Sequence, residues 1–175
     1  MKKLLLLLLT TFSLSCCNKD DDNPQTLPPA TQTGAGTFAC YVNGKPFIDN
    51  SGGFFNCFYQ LVDGEYYFSI GGNDEDILPQ NIYIQTQKRT ISEGETLIFN
   101  EIADGNANAG AGFTLSITEN YQSYTNTIYS GQLIITKLDF ADNIVSGTFS
   151  FDILHPVTGE IIQIRDGRFD TIFTQ

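Results

Sequence analysis

The chain contains no tryptophan, one methionine and one histidine in 175 residues, and its 9 Lys and Arg face 20 Asp and Glu. Each shortage excludes something. A formal charge of −11 speaks against nucleic acid as a partner, because that binding is driven by neutralising phosphates with Lys and Arg. It also speaks against electrostatic docking on anionic lipid. The sole histidine, His155, would have to be the base of any Ser-His-Asp arrangement. It precedes Pro156 in a turn-like stretch, and no Gly-x-Ser-x-Gly elbow accompanies it. No Cys-x-x-Cys occurs, so neither a redox motif nor a zinc site is indicated. No apolar run approaches the ~20 residues that span a bilayer as a helix. The missing tryptophan weakens a sugar-stacking reading, since its ring is the usual platform.

Acidic residues are plentiful but poorly patterned. Asp104-Gly105-Asn106-Ala107-Asn108 begins like a calcium loop, yet Ala109 stands where glycine is needed and Leu115 where the bidentate glutamate belongs. Asn73-Asp74-Glu75-Asp76 reads as a solvated acidic loop. A glycosidase needs two carboxyls ~5–9 Å apart. Asp63, Asp104, Glu160 and Asp166 all lie near turns, where acids are common anyway. The expectation is no catalytic motif, no metal and no cofactor, with a hydrolase ranked last.

The amino terminus is the most informative segment. Lys2 and Lys3 precede a mostly apolar stretch, residues 4–14, and then Ser15-Cys16-Cys17. This is the pattern of an export signal ending in a cysteine that becomes acylated. Cys16 follows the small Ser15, whereas Cys17 has Leu14 at the position where leucine is usual. Cys16 is the favoured lipidation site and Cys17 the alternative. Several acyl chains hold firmly where one holds marginally, each buried methylene adding ~0.8 kcal/mol. The membrane is thus expected as a partner, through an amino-terminal lipid. Loss of Lys2 and Lys3 on cleavage lowers Lys and Arg from 9 to 7 against 20 acids, moving the charge from −11 to −13.

Lys19-Asp20-Asp21-Asp22 resembles the lysine-plus-acidic signal that sends lipoproteins to the outer face of the outer membrane, the alternative being the periplasmic face. The division expected is signal peptide 1–15, anchor and flexible tether 16–36, and an all-β domain 37–175. The tether reading rests on the acidic run and on Pro24, Pro28, Pro29, Gly34 and Gly36.

From Thr37 onward the apolar period is two. Phe38, Cys40 and Val42 alternate with their neighbours, and Asn43-Gly44 is a hairpin signal. Val145, Gly147, Phe149, Phe151 and Ile153 alternate with Ser146, Thr148, Ser150 and Asp152, and Asp166-Gly167 marks a bulge or bend in the last strand. β-branched and aromatic residues dominate these runs and no helical stripe is evident. Eight to ten short strands are expected, in a single antiparallel β-sandwich or a partly closed barrel. Cys40 and Cys57 fall on apolar faces, either as a disulfide worth ~3 kcal/mol or as two small buried hydrophobes.

Tyr121, Tyr124 and Tyr129 cluster among Asn120, Gln122, Asn126 and Thr127. Exposed tyrosines flanked by amides suit a sugar or a protein interface. The leading expectation is a non-catalytic module that binds an envelope protein or an extracellular glycan there. The alternative is a carrier of a small apolar ligand, with a barrel cavity among Phe55, Phe68, Phe149 and Phe151.

Phe38-Ala39-Cys40-Tyr41-Val42-Asn43-Gly44-Lys45-Pro46-Phe47, Gly131-Gln132-Leu133-Ile134-Ile135-Thr136-Lys137-Leu138-Asp139 and Ile164-Arg165-Asp166-Gly167-Arg168-Phe169-Asp170, read with the lipid signal, resemble a family of small Bacteroidota lipoproteins. That family's domain has no assigned function and no established active residues. The resemblance implies export, anchoring and an all-β domain, and transfers nothing catalytic.

Overall fold

In the computed structural model, the described residues are 26–52, 55–102, 109–116 and 121–175. Cys16, Cys17, the acidic run behind them and the 104–108 segment lie outside them.

Eleven strands form and no helix is present among the described residues. The strands are β1 (Thr37–Val42), β2 (Lys45–Ile48), β3 (Asn56–Val62), β4 (Glu65–Asn73), β5 (Asn81–Thr86), β6 (Thr96–Ile98), β7 (Ala109–Ser116), β8 (Tyr121–Tyr124), β9 (Gly131–Asp139), β10 (Ile144–Leu154) and β11 (Ile161–Ile172). They make two antiparallel sheets, one ordered β2-β1-β11-β10-β9-β6 and the other β3-β4-β5-β7-β8. The architecture is a sandwich, and the barrel alternative is set aside. Among the described residues, isolated bridges join the sheet margins at Phe58 to Thr174 and Phe99 to Ala109.

Local sequence explains the turns. Asn43 and Gly44 both take positive φ, at 49° and 80°, as a two-residue hairpin of matching twist requires. Asp166 takes φ of 50° inside β11, and the register to β10 shifts there, between Phe149 and Phe151. This is the bulge that Asp166-Gly167 signals.

Alternation sends one face of each strand inward. Eight phenylalanines are among the largest fully buried side chains, each worth ~1.5–3 kcal/mol by burial. Their rings interlock: Phe38 meets Phe149 at 5.1 Å, Phe99 meets Phe151 at 5.6 Å, and Phe68 meets Phe169 at 6.1 Å. Phe68, Phe149 and Phe151, which an apolar-ligand cavity would have to expose, instead pack into this core. Cys40 and Cys57 are buried free thiols, on β1 and β3 of opposite sheets. The disulfide alternative is not formed, and burial pushes both thiols well above the ordinary range.

The tether reading of 16–36 needs correction over its second half. Residues 28–36 dock as a strap on the outside of the six-stranded sheet. Asp170 of β11, only 1% exposed, accepts hydrogen bonds from the Thr31 hydroxyl (2.6 Å), the Thr33 amide (2.9 Å), the Gly34 amide (2.8 Å) and the Ser146 hydroxyl (2.7 Å). Arg168 donates to the Pro28 carbonyl and Gln32 to the Thr136 carbonyl. Burial pushes the Asp170 carboxyl up, but these donors outweigh it and hold it well below the usual carboxylate range. Pro and Gly mark a chain without a ladder, yet a carboxylate that collects amides and hydroxyls fixes it all the same.

Candidate functional site

Each sheet carries a concavity on its outer face among the described residues. On the six-stranded sheet, a groove of about 310 Å³ runs between Ala30 of the strap and Ile134, Thr148 and Arg168. Its one cation is already committed. Arg168 donates from Nε and Nη2 to the Asp166 carbonyl and from Nη1 to that of Pro28.

The larger groove, about 540 Å³, opens on the five-stranded sheet among Gln85, Glu101, Ile102, Gln122, Tyr124 and Asn126. Glycines of β7 let the side chains around it lie close to the sheet. Gln85 of β5 stands opposite Gly110 of β7, and Tyr83 opposite Gly112. Ile102 lies against Gly110, where a Cβ would collide with it. The Tyr83 ring lies over Gly112, where a Cβ would stand 2.6 Å from the tyrosine oxygen. Side chains on β7 would lift both groups off the sheet.

The walls are tied down by buried hydrogen bonds. Thr125, fully buried, donates to the Asn100 carbonyl and accepts from the Ala111 amide, each at 3.0 Å. It thereby fixes the end of β8 against the segment carrying Glu101. Asn126 Oδ1 accepts from the amides of Ile128 and Tyr129, which leaves its amide nitrogen out of that turn. The Tyr124 hydroxyl donates to Gln122 Oε1 at 2.5 Å, and its ring meets Tyr83 edge-on at 6.1 Å. Burial, then the hydrogen bond with Tyr124, raises the Tyr83 phenol well above its ordinary value.

Of the three tyrosines singled out from sequence, Tyr124 lines this groove and Tyr121 and Tyr129 do not. Tyr121 is exposed at the start of β8, and Tyr129 closes the turn after it through its backbone. Sequence reasoning missed Gln85, Glu101 and Tyr83. The signal was the alternation in β5, where Tyr83 and Gln85 are the residues that face away from Ile82 and Ile84.

The other candidates resolve into structural roles. His155 Nδ1 accepts from the Val157 and Thr158 amides, each at 3.2 Å, and so caps its own turn. Asp74 is buried and accepts from the Ile48 amide and the Asn50 side chain, clamping the loop after β4 to the β1–β2 hairpin. This corrects the solvated reading for Asp74, while Glu75 and Asp76 are exposed. Among the described residues no group of three or more His, Cys, Asp or Glu is placed to hold a metal. No helix there is long and apolar enough to cross a membrane.

The groove therefore offers amide donors and acceptors, a tyrosine ring with its hydroxyl, and the Glu101 carboxylate, with no lysine or arginine. Such a set hydrogen-bonds a ligand rich in hydroxyls, and a carboxylate accepts from neutral hydroxyls more strongly than amides do. Comparison of the chain with protein-family models, curated proteins and solved structures found no match.

Proposed function

We propose that this chain is an exported lipoprotein of the cell envelope whose sandwich binds an uncharged extracellular glycan without chemical turnover. The observation that carries the reading is the groove on the five-stranded sheet. It unites Gln85, Gln122, Asn126, Tyr124 and Glu101 in one concavity on a chain of net charge −11. Anionic ligands are repelled by that charge, whereas hydroxyl-rich neutral ligands meet matched partners.

Anchoring rests on the amino-terminal signal, with acylation at Cys16 or Cys17 and the outer membrane, facing the cell exterior, as destination. A Bacteroidota lipoprotein lineage is the source this signal supports. Two sequence features favour display of the domain beyond the membrane: the acidic run 20–22 and the chain between it and the strap.

Electrophoresis of the purified protein through gels containing neutral polysaccharides tests the binding claim. Retardation in at least one such gel, lost in Tyr124→Ala, is expected. Unretarded migration in all of them would reject the glycan reading. Metabolic labelling with a fatty acid tests the anchor, and loss of label only when both Cys16 and Cys17 are changed to alanine is compatible with either site.

A further inference from the structure

The groove is one end of a larger surface. Registers across the five-stranded sheet align Asn56 with Gly71, Gly71 with Tyr83, Tyr83 with Gly112, and Gly112 with Tyr124. The outward row Asn56–Gly71–Tyr83–Gly112–Tyr124 thus crosses every strand. One flanking row is Asn73–Asn81–Thr114–Gln122, and the other is Phe58–Ser69–Gln85–Gly110.

None of the three rows holds a charged residue, although the chain carries 9 basic and 20 acidic ones. The opposite sheet differs. There the strap covers Asp170, and ion pairs join Arg165 to Asp152 and Lys137 to Asp139. The three rows present an amide-and-tyrosine face, with Glu101 at the groove as the acid beside it. Asn73 and Asn81 are already joined at 2.8 Å, so these two amides are held in place and lose little freedom on binding.

We infer that the ligand is a linear neutral glycan chain lying across the strands along the Asn56–Tyr124 row, with the Tyr124 groove as one subsite among several. This rests on the glycan reading above and adds length and direction to it. Neighbouring strands are ~4.8 Å apart, so four intervals span ~19 Å, the length of an oligosaccharide and not of a single sugar. Tyr83 at the centre supplies a ring held over Gly112, and Asn56 at the far edge is exposed.

Calorimetric titration of the full-length protein tests it, with maltohexaose, cellohexaose, mannohexaose and xylohexaose, their disaccharides, and hexagalacturonate as probes. At least one neutral hexasaccharide should bind about tenfold tighter than its disaccharide, a difference of about 1.4 kcal/mol. Asn56→Ala should weaken the hexasaccharide severalfold and leave the disaccharide unchanged. Tyr124→Ala should weaken both. Equal affinity for both lengths, or no effect of Asn56→Ala, would overturn the extended path while leaving a single-subsite glycan site intact. Preference for hexagalacturonate would overturn the selection for neutral chains. Failure of every saccharide to bind would overturn this inference together with the reading beneath it.

Discussion

The Oδ1 atom of Asp170 accepts a hydrogen bond from the Ser146 hydroxyl at 2.7 Å, across the central strand pair of the six-stranded sheet. That bond holds one carboxylate oxygen against the sheet while the other, Oδ2, collects Thr31 and Thr33 from the strap. A buried ion without a cation is thereby satisfied by donors alone. Removing it leaves several amides and hydroxyls unpaired.

Asp170→Ala should accordingly cost about 2–4 kcal/mol, each buried donor left unsatisfied costing ~1–3 kcal/mol. Urea unfolding followed by tyrosine fluorescence measures it. A loss below about 0.5 kcal/mol would mean that water replaces the carboxylate without penalty.

The same residue sets an acid dependence. Its carboxyl is held low in the fold, so the unfolded chain takes up the proton first. The stabilisation is complete above the unfolded value of ~3.9 and is lost as pH falls through the depressed folded value. Between about pH 4 and pH 2 the unfolding curves of wild type and Asp170→Asn should converge. A gap that stays constant through that window would contradict the assignment.

The strap and Asp170 should act as one unit. Deletion of the residues before Thr37 should destabilise the domain, and Asp170→Ala should add little once the strap is gone. Full additivity in a double-mutant cycle would show that the two are independent.

Burial of Cys40 and Cys57 predicts silence toward iodoacetamide in the native protein and two added labels after denaturation without reductant. Mass spectrometry reads this directly. No label on the denatured, unreduced protein at these two positions would reveal a disulfide.

Phe151→Ala should cost about 3–5 kcal/mol, since the ring is fully buried against Phe99 and Phe149. Thermal or urea unfolding gives the value. A near-neutral substitution would indicate a site with room to spare, as the apolar-carrier reading requires.

The strands were legible because their physics is local. Period-two alternation in β10, Asn43-Gly44 at a hairpin and Asp166-Gly167 at a bulge each depend on neighbours within a few residues. Sandwich or barrel was not legible, because closure depends on how the margins of the sheets meet, here through isolated bridges such as Phe58–Thr174 and Phe99–Ala109. The strap was hidden for a related reason. Its hydrogen-bond partner lies 135–139 residues away, and prolines and glycines look alike in a docked segment and a loose one. A charged residue between Phe169 and Thr171, near the end of the last strand, was the available clue. Tyr124 was found by its amide neighbours. The groove needed Gln85 and Glu101 as well, which only the β5–β7–β8 pairing and the Thr125 tie bring beside it.

Chemical-shift mapping tests the central claim most directly. Amide resonances of the isotopically labelled protein would be followed while the tightest-binding neutral hexasaccharide is added. The account predicts shifts concentrated at Tyr83, Gln85, Gln122 and Tyr124 and spreading toward Asn56. Shifts centred on Ile134, Thr148 and Arg168 of the opposite sheet, or none with any neutral saccharide, would contradict it.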